Sequence, residues 1–311
     1  MDVQRAILLF ALAFVLIVLY QRWLDFQAPQ GPEATQTAGQ QTEGAPAEDI
    51  PQAPEPGVSD TPQAPDAADG EPAAPQVPQA QESGEGQERL VEVTTDLLRV
   101  RIDTNGGRIV ETALLKHPVS VEQPDQPFLL LKQESTAKGD DIFTTQSGLI
   151  GRDREYPNHR TAYEVDQTDY RLREGADSLE VDLHWTAPDG VRYTKRFTFL
   201  RDNYDVKVDY LVENTSSTPW TGFIYGQFLR TYIPPDRGFI LGAVPTFTGA
   251  AFYSPEDRFQ KIDFDDIEDQ PVKRQVAGGW VAMVQHYFVG GWFPRDNGDY
   301  SFYTRAIDHP G

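Results

Sequence analysis

The chain has 311 residues, with 48 Asp and Glu against 27 Lys and Arg, a formal net charge of −21, and no cysteine. An acidic balance of this size argues against nucleic acid, which needs a basic stripe for phosphate, and against a polybasic grip on anionic lipid. Without cysteine there is neither a disulfide nor thiol catalysis, and the redox compartment stays open.

The first element is the run AILLFALAFVLIVLYQRW, residues 6–23. Its uncharged block, Ala6 to Tyr20, would make roughly 22 Å of helix, short of a hydrocarbon core of about 30 Å. Flanking residues close the gap, because Arg5 and Arg22 can snorkel and Trp23 suits the interface. Eleven of the fifteen residues in the block are Leu, Ile, Val or Phe, favouring insertion by roughly 3–6 kcal/mol. Ala6, Leu9, Phe10, Phe14, Leu16, Leu19, Tyr20 and Trp23 are the expected membrane-anchor residues. A signal peptidase needs small residues at −3 and −1, whereas Gln21 to Gln27 is bulky or charged throughout. The segment is therefore expected to remain as an uncleaved anchor over residues 1–27, and the lack of cysteine excludes a lipoprotein anchor. The flanking charges hardly decide its orientation.

Residues 28–88 are rich in Pro, Ala, Gln, Gly and acids, with no aromatic residue, no Lys and no Arg, and they carry −12 of the net charge. Such a segment cannot bury enough apolar area to offset ordering entropy, so it reads as a disordered tether.

From residue 89 to 311 the pattern becomes β, with 34 acids and 25 bases. In LLRVRID, Leu98, Val100 and Ile102 fall on one face and Arg99, Arg101 and Asp103 on the other. Asn105-Gly106-Gly107 supplies a turn into the partner strand from Ile109 to Leu115. SLEVDLHW repeats the alternation, with Leu179, Val181, Leu183 and Trp185 inward. Asp189-Gly190 turns it into VRYTKRFTFL, where Tyr193, Phe197 and Phe199 share a face. RDN then leads to YDVKVDYLVEN, with Val206, Val208, Tyr210 and Val212 in register. This is an antiparallel meander with one buried face. SPEDRFQKIDFDDIED starts like a helix, with Ser254 as N-cap and Pro255 at N1, but its apolar spacing fits neither period; it reads as irregular, with at most one helical turn. A two-sheet sandwich is the architecture expected for so many short strands.

The histidines (His117, His159, His184, His286, His309) are scattered, without zinc spacing, and read as surface or strand residues. No nucleophile elbow, P-loop or dinucleotide fingerprint occurs. The pairs Gly106-Gly107, Gly278-Gly279 and Gly290-Gly291 read as turn or bulge elements. A carboxylate pair for glycoside chemistry stays open at this stage. GGWVAMVQHYFVGGWF, residues 278–293, is apolar at both alternations, the pattern of a strand buried on both faces. The alternative is an exposed partner surface formed by Trp280, Met283 and Tyr287.

Four stretches in order, MDVQRAILLFALAFVLIVLYQRW, SGLIGRD (Ser147 to Asp153), FTGAAFYSPEDRFQKIDFDDI and GGWVAMVQHYF, resemble the YidC/Oxa/Alb family of membrane protein insertases. The resemblance implies an uncleaved anchor in the cell inner membrane with a cytoplasmic N-terminus. It also implies a periplasmic β domain with a supersandwich fold similar to that of mutarotases, though fold similarity carries no catalytic residues across. In the family, insertion is performed by five later transmembrane helices around a polar groove. A chain ending at YTRAIDHPG is expected to be a fragment without them, with its β domain incomplete at the C-terminal end. The implied partners are nascent inner-membrane proteins, Sec translocon components and the lipid bilayer, with no cofactor, no nucleic acid and no enzymatic reaction. The alternatives are a membrane-tethered carbohydrate-binding or carbohydrate-active enzyme on the same fold, and an envelope scaffold.

Overall fold

The computed structural model describes residues 89–136, 139–152, 154–233, 247–285 and 287–307. The expected anchor, from Ala6 to Trp23, and the linker over 28–88 lie outside the described residues. Among the described residues no helix is long and apolar enough to cross a membrane.

The described chain is all-β. Its first five strands are β1 (Leu90–Thr94), β2 (Leu98–Asp103), β3 (Arg108–Ser120), β4 (Gln123–Thr136) and β5 (Gly139–Ile150). With β6 (Asp169–Arg171) and β10 (Phe223–Arg230) they form a seven-stranded sheet in the order β10-β5-β4-β3-β2-β1-β6. Every neighbour in it is antiparallel except β6, which runs parallel to β1. A meander of β7 (Ser178–Thr186), β8 (Arg192–Leu200) and β9 (Val206–Glu213) forms a three-stranded sheet.

The β2–β3 hairpin forms as its alternation and turn require, with Leu98 opposite Leu114 and Val100 opposite Thr112. Gly106 and Gly107 adopt φ of 86° and 55°, the left-handed region that glycine tolerates. Asp103, expected on the wet face, is instead buried: it ion-pairs with Arg108 and its carboxylate accepts the Asn105 N–H at 2.8 Å. A strand-end carboxylate that closes its own turn escapes the period-2 rule, because local hydrogen bonds replace its water.

The core lies between the large sheet and the meander. Val91, Val93, Leu98, Val100 and Ile102 pack in one cluster with Val181, Leu183, Phe197 and Phe199. A second cluster joins Leu149 and Tyr156 to Ala187, Val191 and Tyr193 at the Asp189-Gly190 end.

The C-terminal part adds a four-stranded and a two-stranded sheet. Strands β11 (Thr248–Ser254), β12 (Arg258–Ile262), β14 (Trp280–Gln285) and β15 (Phe288–Trp292) pair in the order β12-β11-β14-β15. Strand β13 (Lys273–Ala277) pairs with β16 (Asp299–Tyr303), spanning the intervening β14–β15 hairpin. Two expectations change here. The stretch after Ser254, expected to be irregular, holds a strand: the Ser254 hydroxyl accepts the Asp257 N–H at 2.9 Å in the turn that begins β12, and a single helical turn, α1 (Phe264–Ile267), follows as expected. The run from Gly278 to Phe293 is a hairpin rather than one strand buried on both faces. Of its β14 residues only Ala282 is fully buried, and the other five keep part of their surface exposed.

Candidate functional site

On β14, Val281 and Met283 point one way and Trp280, Ala282 and Val284 the other. The Val281 side is covered: Phe252, Val276 and Phe302 make a core with Val281 and Ile262, and Met283 and Phe288 pack against the main core. Phe288 stacks on Phe128 with ring centroids 4.2 Å apart, and the Trp292 indole N–H donates to the Gln227 carbonyl at 3.1 Å. These contacts fix the four-stranded sheet by one face.

The other face bears an aromatic row. Tyr253 lies opposite Phe259 on one side and Trp280 on the other, and the pairing of Val281 with Trp292 sets Phe293 beside Trp280. Ring centroids are 5.8 Å apart for Tyr253–Trp280, 6.0 Å for Phe259–Trp280 and 5.6 Å for Trp280–Phe293. Such cross-strand aromatic pairs stabilise a sheet by fractions of a kcal/mol to about 1 kcal/mol each. Yet Phe259 keeps 48% and Phe293 60% of its surface exposed, and Val289 on the same face keeps 55%. Apolar surface left wet in a contiguous row marks a contact site more often than a single exposed residue does.

The segments next to the row in sequence are mainly acidic. Glu256 and Asp257 occupy the β11–β12 turn, and Asp263, Asp265, Asp266, Glu268 and Asp269 follow β12, against Arg258 and Lys261 on the strand itself. Lys261 lies 4.9 Å above the Phe247 ring. Beyond Phe293, Asp296 accepts the Tyr300 hydroxyl and the Gly298 N–H, which holds its carboxyl below the usual range. Partial burial, then that same bond, pushes the Tyr300 phenol up to about 12.

The three residues expected to form a partner surface are not brought together. Trp280 is half-buried in the aromatic row. Met283 points to the opposite face and, partly buried, packs against the main core. Tyr287 sits at the β14–β15 turn with 82% of its surface exposed. Period-2 alternation separates Trp280 from Met283, and the turn carries Tyr287 away from both. Sequence reading passed over Phe259, Phe293 and Tyr253; their signal is an aromatic residue at the same level of three adjoining strands and just past the end of β15, visible only once the register is known.

A second group of side chains lies at the centre of the domain. Tyr193, Lys195, Phe197 and Phe199 share the inward face of β8, and Lys195 is fully buried with its Nζ 3.1 Å from the Gly106 carbonyl and 3.3 Å from that of Ser147. The Ser147 hydroxyl lies 3.1 Å from the Tyr210 hydroxyl. His159, expected at the surface or on a strand, is buried, with Nδ1 2.7 Å from the Tyr225 hydroxyl. The expected inward set on β8 left out Lys195, although alternation alone places it there. Among the described residues no group of three or more His, Asp or Glu is arranged to hold a metal.

The chain matches the YidC periplasmic domain family over residues 90–310. It is 36% identical over 296 residues to the membrane protein insertase YidC of Stutzerimonas stutzeri (strain A1501), an alignment that covers 95% of this chain and 51% of that protein. It is also 36% identical over 310 residues to the YidC of Aeromonas salmonicida (strain A449), covering 99% and 52%. Against the YidC of Thioalkalivibrio sulfidiphilus (strain HL-EbGR7) it is 34% identical over 318 residues, covering 100% and 53%. The chain spans about half the length of the curated relatives it matches.

Proposed function

The chain belongs to the YidC membrane protein insertase family, and from that premise we propose that it supplies an insertase with its membrane-tethered periplasmic domain. The carrying observation is the family match over residues 90–310, which coincides with the all-β body from β1 onward. In this reading residues 1–27 are an uncleaved inner-membrane anchor with a cytoplasmic N-terminus, residues 28–88 a flexible tether, and residues 89–311 a docking and spacing element outside the membrane. The clients are nascent inner-membrane proteins, taken alone or together with the Sec translocon. The aromatic row of Tyr253, Phe259, Trp280 and Phe293 is the surface at which a protein partner would dock. The carbohydrate-enzyme alternative gains no support from these relatives.

The insertion step itself is assigned to segments outside these 311 residues. Moving a polar segment into hydrocarbon needs a protein-lined polar path, since each unsatisfied backbone group costs several kcal/mol there. A single helix with no charged residue between Ala6 and Tyr20 cannot line one. The test is complementation of an insertase-depleted strain, with a reporter active only outside the cytoplasm fused after Tyr303. The fusion should be membrane-bound and active, while residues 1–311 should fail to restore growth that a full-length YidC restores. Growth on residues 1–311 would overturn the assignment of insertion elsewhere, and an inactive reporter would overturn the topology.

A further inference from the structure

Lys195 is a fully buried amine with no carboxylate partner among the described residues. It projects from β8 in the three-stranded sheet and touches two main-chain carbonyls of the seven-stranded sheet, Gly106 in the β2–β3 turn and Ser147 in β5. Its remaining surroundings are the faces of Phe197 and Tyr210, 5.4 and 5.6 Å from Nζ to the ring centroids. We propose that Lys195 is a proton-operated tie between the two layers: its neutral amine keeps them closed at the Gly106 turn, and protonation biases them to part there.

The groups facing it from each packed element leave the charge uncompensated. The β2–β3 turn presents Arg108 already paired with Asp103, so the cation adds repulsion while the carboxylate is engaged. From β9 comes Tyr210 and from the segment after β5 comes Tyr163. Burial holds both phenols well above their ordinary range, so neither supplies an anion. His159 and Tyr225 bond to each other, and β7 contributes Leu183, opposite Lys195 in register. Two carbonyl dipoles and two ring faces offset part of the cost of a buried ammonium, but only a carboxylate or water would close it. Burial first, and Arg108 second, lower the amine from 10.5 to about 7.

The sign follows from linkage. The closed form resists the proton until pH falls to about 7, whereas an opened, hydrated amine takes it up at 10.5. Opening therefore becomes more favourable as pH falls from 10.5 to 7, by up to about three orders of magnitude, and changes no further below that. This device is independent of what the domain docks to.

The experiment uses the full 311-residue chain with 13Cε-labelled lysine. The Lys195 resonance, assigned by its absence in Lys195→Met, should titrate with a midpoint near 7. Hydrogen exchange of the Gly106 and Tyr163 amides, which bond to Thr161 and Thr104 across the same turn, should slow by about tenfold per pH unit above 7 after correction for intrinsic rates. Lys195→Met should abolish that slope and His159→Gln should keep it. A wild-type midpoint near 10, or amide protection independent of pH, would overturn the proposal even if Lys195→Met failed to fold. Loss of the slope in His159→Gln would transfer the effect to that imidazole.

Discussion

Gly106 shows how one residue couples the turn it makes to the loop it touches. Its φ is 86°, its N–H donates to the Thr161 carbonyl at 2.7 Å, and a Cβ there would lie 2.0 Å from the His159 carbonyl oxygen. Alanine would pay the left-handed cost of about 1–2 kcal/mol and also displace a hydrogen-bonded backbone segment. Gly190 has nearly the same φ, 87°, with nothing within 4 Å of its would-be Cβ, so only the first penalty applies. Gly106→Ala is expected to destabilise by about 3–4 kcal/mol and Gly190→Ala by about 1 kcal/mol in urea unfolding. Equal losses would mean that the 158–163 segment yields freely.

At the scale of an element, the β14–β15 hairpin divides its apolar residues between a covered and a wet face. A fully buried tryptophan costs about 3–5 kcal/mol when truncated to alanine, but Trp280 is half-buried and its neighbours Phe259 and Phe293 are about half exposed. Trp280→Ala is therefore expected to lower stability by only about 1–2 kcal/mol. Phe252→Ala, removing a ring that is 5% exposed on the covered face, should cost about 3–5 kcal/mol. Denaturant midpoints of the two variants decide between the faces. If Trp280→Ala cost as much as Phe252→Ala, the aromatic row would be covered in solution and could not be a docking surface.

For the whole molecule, the described body closes on its own clusters: one between the large sheet and the meander, one at the Asp189-Gly190 end, and one between the two C-terminal sheets. The composition of residues 28–88 offers no aromatic side chain to bury. Deleting residues 46–78 should leave the melting temperature of the β body unchanged within about 1 °C. Limited proteolysis should cut first within residues 28–88. A lower melting temperature, or protection of that stretch equal to the strands, would show that the linker packs on the domain.

What the sequence by itself determined is local. The β2–β3 hairpin and the β7–β8–β9 meander were legible because period-2 alternation and turn glycines act within about ten residues. The acidic, cysteine-free composition and the four family-like stretches were legible too. Tertiary structure alone decided the rest. The neighbours β5–β10, the parallel β1–β6 pair and the β13–β16 pair that spans a hairpin join strands far apart in the chain, and no local pattern specifies such a partner. Lys195 could be placed inward by alternation, but its lack of a counter-ion depends on which carbonyls and rings the opposing sheet presents. The aromatic row exists only in the register of β12, β11 and β14 and at the end of β15, so Tyr253, Phe259, Trp280 and Phe293 become one surface through pairing rather than through spacing.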